Sequence, residues 1–270
     1  GTFVGDAFVE QWQASCPSGL FGRTVTIDGL SATRTDVLAR VGRLDGTTQT
    51  VRLTPEQVSF VVTAAPTSLE VSRTYFVLGV EHILLGIDHL MFVLGLLFLV
   101  GNWKQLVGTV TAFTVAHSIT LAGATLGWVY APQAPIEATI ALSVMFVAAE
   151  ILRRAHGRHG VAARAPWLVA FVFGLLHGFG FAGALREVGL PEQDIPLALL
   201  FFNVGVEVGQ LVFIAVVVLL LSTATRLLRK PGHSERGPWH SEAMIRVPVA
   251  YAIGSVAAFW TVQRVVGFWA

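Results

Sequence analysis

The sequence predicts an all-α membrane protein, a six-helix transmembrane bundle over residues 75–270 preceded by a small β-rich extracytoplasmic domain over residues 1–74. Three observations carry this. Hydrophobic residues make up 54% of the 270-residue chain and charged residues 13%, roughly half the charged share usual in soluble domains. From residue 75 onward the apolar residues gather into six runs, about 75–100, 105–127, 136–152, 166–186, 195–224 and 246–268, each long enough at about 1.5 Å per residue to cross a bilayer. Before residue 75 the pattern is short β-branched stretches separated by turn residues.

In the first segment, Phe3, Phe8, Val9 and Trp12 are spaced for a short amphipathic helix, with Cys16-Pro17-Ser18-Gly19 as its stop. Residues 24–27, 37–44, 48–53 and 58–63 read as strands, and Asp45-Gly46 is a hairpin signal between the second and third. Nothing here has ligand spacing, which leaves a cap or a module that contacts a membrane-protein partner. Gly1 opens a moderately polar stretch without the basic start and apolar core of a signal peptide, so a processed or truncated N-terminus is expected. The single cysteine, Cys16, excludes an intrachain disulfide and a cysteine-cluster metal site. A net charge of +1 gives no basis for nucleic-acid binding.

Charge instead reports topology. Arg153, Arg154, Arg158 and Arg164 crowd the third loop and Arg226, Arg229, Lys230, Arg236 and Arg246 crowd or flank the fifth, whereas the second loop has no basic residue. Those loops should be cytoplasmic, which leaves the N-terminal domain and the C-terminus outside a bacterial inner membrane.

The first span carries Glu81, His82, Asp88 and His89 in an otherwise apolar run, and each charge at mid-membrane costs roughly 2.5–3.5 kcal/mol unless it is partnered. On one continuous helix His82 and His89 lie almost in line, roughly 10 and 21 Å below the outer surface. Asn203 and Gln210 of the fifth span come out at the same depths, and Asn203, Glu207 and Gln210 follow i, i+4, i+7 spacing as one polar stripe. His117 and His177, on the second and fourth spans, lie near the bilayer middle. Thr114 and Ser118 flank His117, either bonding their own helix or orienting the imidazole. Glycines around His177 either permit close helix contact or loosen the helix so that carbonyls face a cation. Glu150, with Arg153 and Arg154 within one turn, reads as a surface ion pair.

Shared depth therefore predicts a transition-metal site formed from His82, Asp88, His89, His117 and His177, with Glu81, Thr114, Ser118, Asn203, Glu207 and Gln210 as supporting groups or the path beyond. Glu207 is expected to face His82 or Asp88. The first ligands would be His82, Asp88, His89 and one of His117 or His177. Imidazole and carboxylate hold nickel, cobalt, zinc and copper alike, so the ligand set alone does not choose among them.

The succession His82-x5-Asp88-His89, Phe113-Thr114-Val115-Ala116-His117-Ser118-x-Thr120, His177-Gly178-x-Gly180-Phe181-Ala182 and Phe202-Asn203-x-Gly205-Val206-Glu207-x-Gly209-Gln210 resembles the HupE/UreJ family of membrane proteins. The resemblance covers nearly the whole chain, including the β-rich segment of the longer members. It implies a permease for nickel or cobalt, with the metal motif falling on His82, Asp88 and His89. Shorter members cluster two histidines and a glutamate in the second histidine motif, where this chain has His177 alone. Two other classes stay open: an intramembrane metal-dependent hydrolase with Asp88 or Glu207 as base and Ser118 near the reacting group, and an accessory subunit docking through residues 1–74.

Overall fold

The computed structural model of the protein describes residues 2–4, 7–10, 16, 19–33, 35–42, 48–64, 66–158, 160–187, 194–228 and 242–268. The chain divides into two units, Gly1–Thr67 and Ser68–Ala270.

Among the described residues, the first unit contains three two-stranded antiparallel pairs. β1 (Thr2–Val4) pairs with β2 (Ala7–Val9), Phe3 opposite Phe8. This replaces the amphipathic helix expected from Phe3, Phe8 and Val9; Trp12 lies outside the described residues. The physical reason is in the sequence: Phe3-Val4 and Phe8-Val9 are aromatic and β-branched pairs, and the Gly5-Asp6 between them is itself a two-residue hairpin signal. β3 (Thr24–Thr26) pairs with β6 (Ser59–Val61), and β4 (Val37–Gly42) with β5 (Thr48–Leu53), in the four stretches expected to be strands. Asp45-Gly46 lies outside the described residues, but the strands that flank it pair in register from Gly42↔Thr48 to Val37↔Leu53. Leu30, Leu53, Phe60 and Val62 form the core of this unit, and Gln49 links β5 to the chain around β6 through Val61 O and Thr63 N, each at 3.0 Å.

The second unit is helical: α1 (Ser68–Leu85), α2 (Ile87–Leu99), α3 (Trp103–Thr125), α4 (Gln133–Ala155), the single turn α5 (Val161–Arg164), α6 (Pro166–Glu187), α7 (Ile195–Leu228) and α8 (Glu242–Val266). Among the described residues, four helices are long and apolar enough to cross a membrane, Trp103–Thr125, Gln133–Ala155, Ile195–Leu227 and Ile245–Val266, and the α1–α2 pair makes up to five. The six spans expected are not all counted among the described residues, where α6 contributes the stretch Pro166–Gly180.

The continuous first span expected over 75–100 is broken. α1 starts at Ser68, ends at Leu85, and meets α2 at a bend of 73°. Gly86 forms the joint with φ −77° and ψ 90°, and a Cβ there would stand 2.8 Å from both His82 O and His89 Nδ1. Any side chain at 86 would press on the His89 ring. Asp88 in the first turn of α2 complements the new helix N-terminus.

Three helix pairs dominate the packing, α3 with α6, α1 with α7 and α4 with α8. The glycines explain two of them. Gly79 lies against the backbone of Phe202 and Gly205 against that of Phe76, drawing α1 onto α7; Gly174 and Gly178 lie against the carbonyls of Phe113 and His117, drawing α6 onto α3. α6 stays an unbroken helix through His177, so its glycines serve close contact rather than freeing carbonyls for a cation. Glu150 also departs from expectation. Its carboxylate is 1% exposed, accepts from Arg153 Nη1 at 2.7 Å and from the Ala162 N–H at 3.0 Å, and so anchors α5 from within the fold. Arg154 turns away to the carbonyl of Leu99.

Candidate metal centre

Four helices each deliver one imidazole to the same place: His82 from α1, His89 from α2, His117 from α3 and His177 from α6. The ring centroids of His82 and His89 are 4.8 Å apart, and those of His89 and His177 are 5.0 Å apart. His117 lies 6.1 Å from His82 and 6.4 Å from His89. His82, His89 and His117 offer ligand nitrogens within 4.8 Å of one another. On a straight helix, residues seven positions apart are separated by about 10 Å along the axis, so the bend at Gly86 is what joins His82 to His89. Phe92, Phe113 and Phe202 wall the cluster, with Phe113 and Phe202 at interplanar angles of 21° and 20° to the His117 ring. His117 and His177 are 0% and 1% exposed.

The hydrogen bonds decide which nitrogen each ring presents. Asn203 Nδ2 donates to Leu199 O at 2.7 Å, so its Oδ1 is the atom facing His117 Nδ1 at 3.1 Å. Because that oxygen only accepts, His117 carries its proton on Nδ1 and presents the Nε2 lone pair. Ser143 gives its one proton to Ile140 O at 2.6 Å and therefore accepts from His177 Nε2 at 3.0 Å. His177 is left with its lone pair on Nδ1. Those two nitrogens, His117 Nε2 and His177 Nδ1, are buried without a hydrogen-bond partner among the described residues, as are both ring nitrogens of His89. A buried acceptor left unpaired costs about 1–3 kcal/mol, and a cation among these rings would satisfy several at once. Imidazoles in an aromatic-walled pocket, with the tautomers of His117 and His177 fixed from behind, fit a divalent first-row transition ion.

The carboxylates are engaged elsewhere. Asp88 Oδ2 accepts from Arg264 Nη2 of α8 at 2.7 Å, and its carboxylate, like His177, is outside the group of ligand atoms formed by His82, His89 and His117. Glu207, expected opposite His82 or Asp88, is instead held by α3: Thr111 Oγ1 donates at 2.6 Å and Thr114 Oγ1 at 2.5 Å, with Gln210 Oε1 3.0 Å from the same Thr114 hydroxyl. Ser118 and Thr120 bond the carbonyls of their own helix. Glu81 is exposed on α1.

Two participants escape the sequence reading. Ser143 is one serine in the third apolar run, and nothing in its neighbours announces a bond to an imidazole 34 residues away. Arg264 did leave a signal: an arginine inside the last apolar run is itself expensive in a membrane and calls for a partner.

The family model described as HupE / UreJ protein matches residues 57–264. No curated protein and no solved structure matches the chain. Its apolar helices and this match together mark an integral membrane protein.

Proposed function

The chain belongs to the HupE/UreJ family, a family associated with nickel and cobalt transport, and from that premise we propose that it is a permease that carries a divalent transition-metal ion through the histidine cluster. The observation that carries this reading is the meeting of four imidazoles from four helices, with lone pairs on His89, His117 and His177 left without partners among the described residues. The ion is cargo, nickel or cobalt by family, and zinc or copper would fit the same donors. His82, His89, His117 and His177 hold it, Asp88 adds charge once released from Arg264, and Glu207 with Thr111, Thr114 and Gln210 forms the next polar station along α7. The basic loops face the cytoplasm, α6 and the α1–α2 pair each count as a crossing, and both termini lie outside the inner membrane.

A hydrolase would need a carboxylate base beside the metal-bound water, and both candidates bond to other groups, Asp88 to Arg264 and Glu207 to two α3 hydroxyls. The permease reading is tested by elemental analysis of the purified protein and by cellular uptake of nickel, cobalt, zinc and copper, each repeated for His89→Ala and Asp88→Asn. Bound metal and uptake that both fall in the variants support it. No bound metal in the wild type together with unchanged uptake would overturn it.

A further inference from the structure

Arg264 stands in the last turn of α8, where a guanidinium surrounded by apolar helices is costly unless its donors are used. Its contacts among the described residues point inward. Nη2 donates to Asp88 Oδ2 of α2 at 2.7 Å, Nη1 donates to the carbonyl of Glu137 at the start of α4 at 2.8 Å, and the guanidinium carbon lies 5.7 Å from the centre of the Trp260 ring. One planar fork thus ties α8 to α2 and α4, a geometry lysine lacks. Its carboxylate partner directly precedes His89 in the sequence, yet is not one of the ligand atoms gathered with His82, His89 and His117. Asp88 Oδ1 has no hydrogen-bond partner among the described residues.

We propose that Arg264 is a tethered counter-cation that keeps Asp88 off the histidine cluster until a divalent ion takes its place. This rests on the permease reading above. The exchange has a stepwise route: an arriving ion first meets Oδ1, which is unbonded, while Oδ2 still holds the arginine. The Glu137 carbonyl and the Trp260 ring retain the guanidinium after Asp88 leaves, so it remains within reach. Return of Arg264 to Asp88 then strips one ligand from the ion and speeds its release. Arg264 therefore sets the affinity low enough for turnover, and a site without it would trap its cargo.

The test is calorimetric titration of the purified full-length chain with nickel chloride, for wild type, Arg264→Gln and Arg264→Gln combined with Asp88→Asn. If Asp88 is free of Arg264 in about a tenth of molecules, Arg264→Gln tightens the nickel Kd about tenfold, and the change disappears when Asp88 is already Asn. A second readout needs no variant. Phenylglyoxal modification of Arg264, followed by peptide mass spectrometry, should accelerate several-fold when nickel is added to the wild type, with the loop arginines unchanged. That labelling decides the matter alone if Arg264→Gln fails to fold. Wild type that binds nickel while Arg264→Gln binds equally or more weakly, or while Arg264 labelling does not change, overturns the counter-cation and leaves the permease standing. Wild type that binds none of nickel, cobalt, zinc and copper in the same titration overturns both.

Discussion

Helix α7 and the α1–α2 pair both place polar side chains seven positions apart, Asn203 with Gln210 and His82 with His89. α7 runs unbroken from Ile195 to Leu228, so its two amides stay about 10 Å apart along the axis and serve different partners. Asn203 meets His117 at 3.1 Å, and Gln210 meets Thr114 at 3.0 Å. The α1–α2 pair turns by 73° at Gly86, and the same sequence interval becomes a ring-to-ring distance of 4.8 Å. A continuous helix spreads a polar spacing into levels along a path; a broken one gathers it into a site. Spacing alone therefore does not determine whether two residues share a ligand.

The sharpest way to break this contrast is His89→Ala, which removes both unpartnered nitrogens at the joint. Nickel retained after equilibrium dialysis should fall from stoichiometric to near zero. Gly86→Ala comes next. Its Cβ would stand 2.8 Å from His89 Nδ1, so the ring must shift, and the nickel Kd should weaken by about 100-fold while far-UV helicity holds, since alanine favours helix. Unchanged affinity in that variant would mean that the joint does not position His89.

Smaller effects come from residues of α7 and α4. Asn203→Ala and Ser143→Ala each free a tautomer and should each weaken nickel binding by about 10–100-fold, the range typical of groups that orient a ligand. Ser143→Thr keeps the hydroxyl and should restore most of the affinity, whereas a purely packing role would not distinguish Ala from Thr in that way. Gln210→Ala, one level along α7, should shift the same titration by less than about threefold, because its contact is with Thr114 rather than with an imidazole.

Much of this arrangement is legible in the amino-acid sequence. The strand stretches at 24–27, 37–44, 48–53 and 58–63 stand as β3, β4, β5 and β6, because β-branched alternation between turn residues is a local signal. The depth match in the sequence pairs Asn203 and Gln210 with His82 and His89, whereas their bonds run to α3, Asn203 to His117 and Gln210 to Thr114. What the sequence hides depends on backbone direction or on a distant partner. Gly86 in an apolar run is compatible with a straight helix, and only packing against neighbouring helices makes it a joint. Phe3 and Phe8 fit a helical face as well as a hairpin register, and the Gly5-Asp6 signal between them is two residues long. Asp88 and His89 are adjacent in sequence, but the carboxylate answers to Arg264, 176 positions away, and no local pattern reports that pairing.

A permease of this design needs the imidazoles of helices α1, α2, α3 and α6 on one ion. X-ray absorption at the nickel edge, on the full-length chain loaded with one equivalent, tests it most directly. A coordination shell dominated by imidazole nitrogen is expected, with the imidazole scattering reduced in His177→Ala and in His117→Ala. A nickel ion bound stoichiometrically through oxygen alone, with a spectrum indifferent to those substitutions, would contradict it.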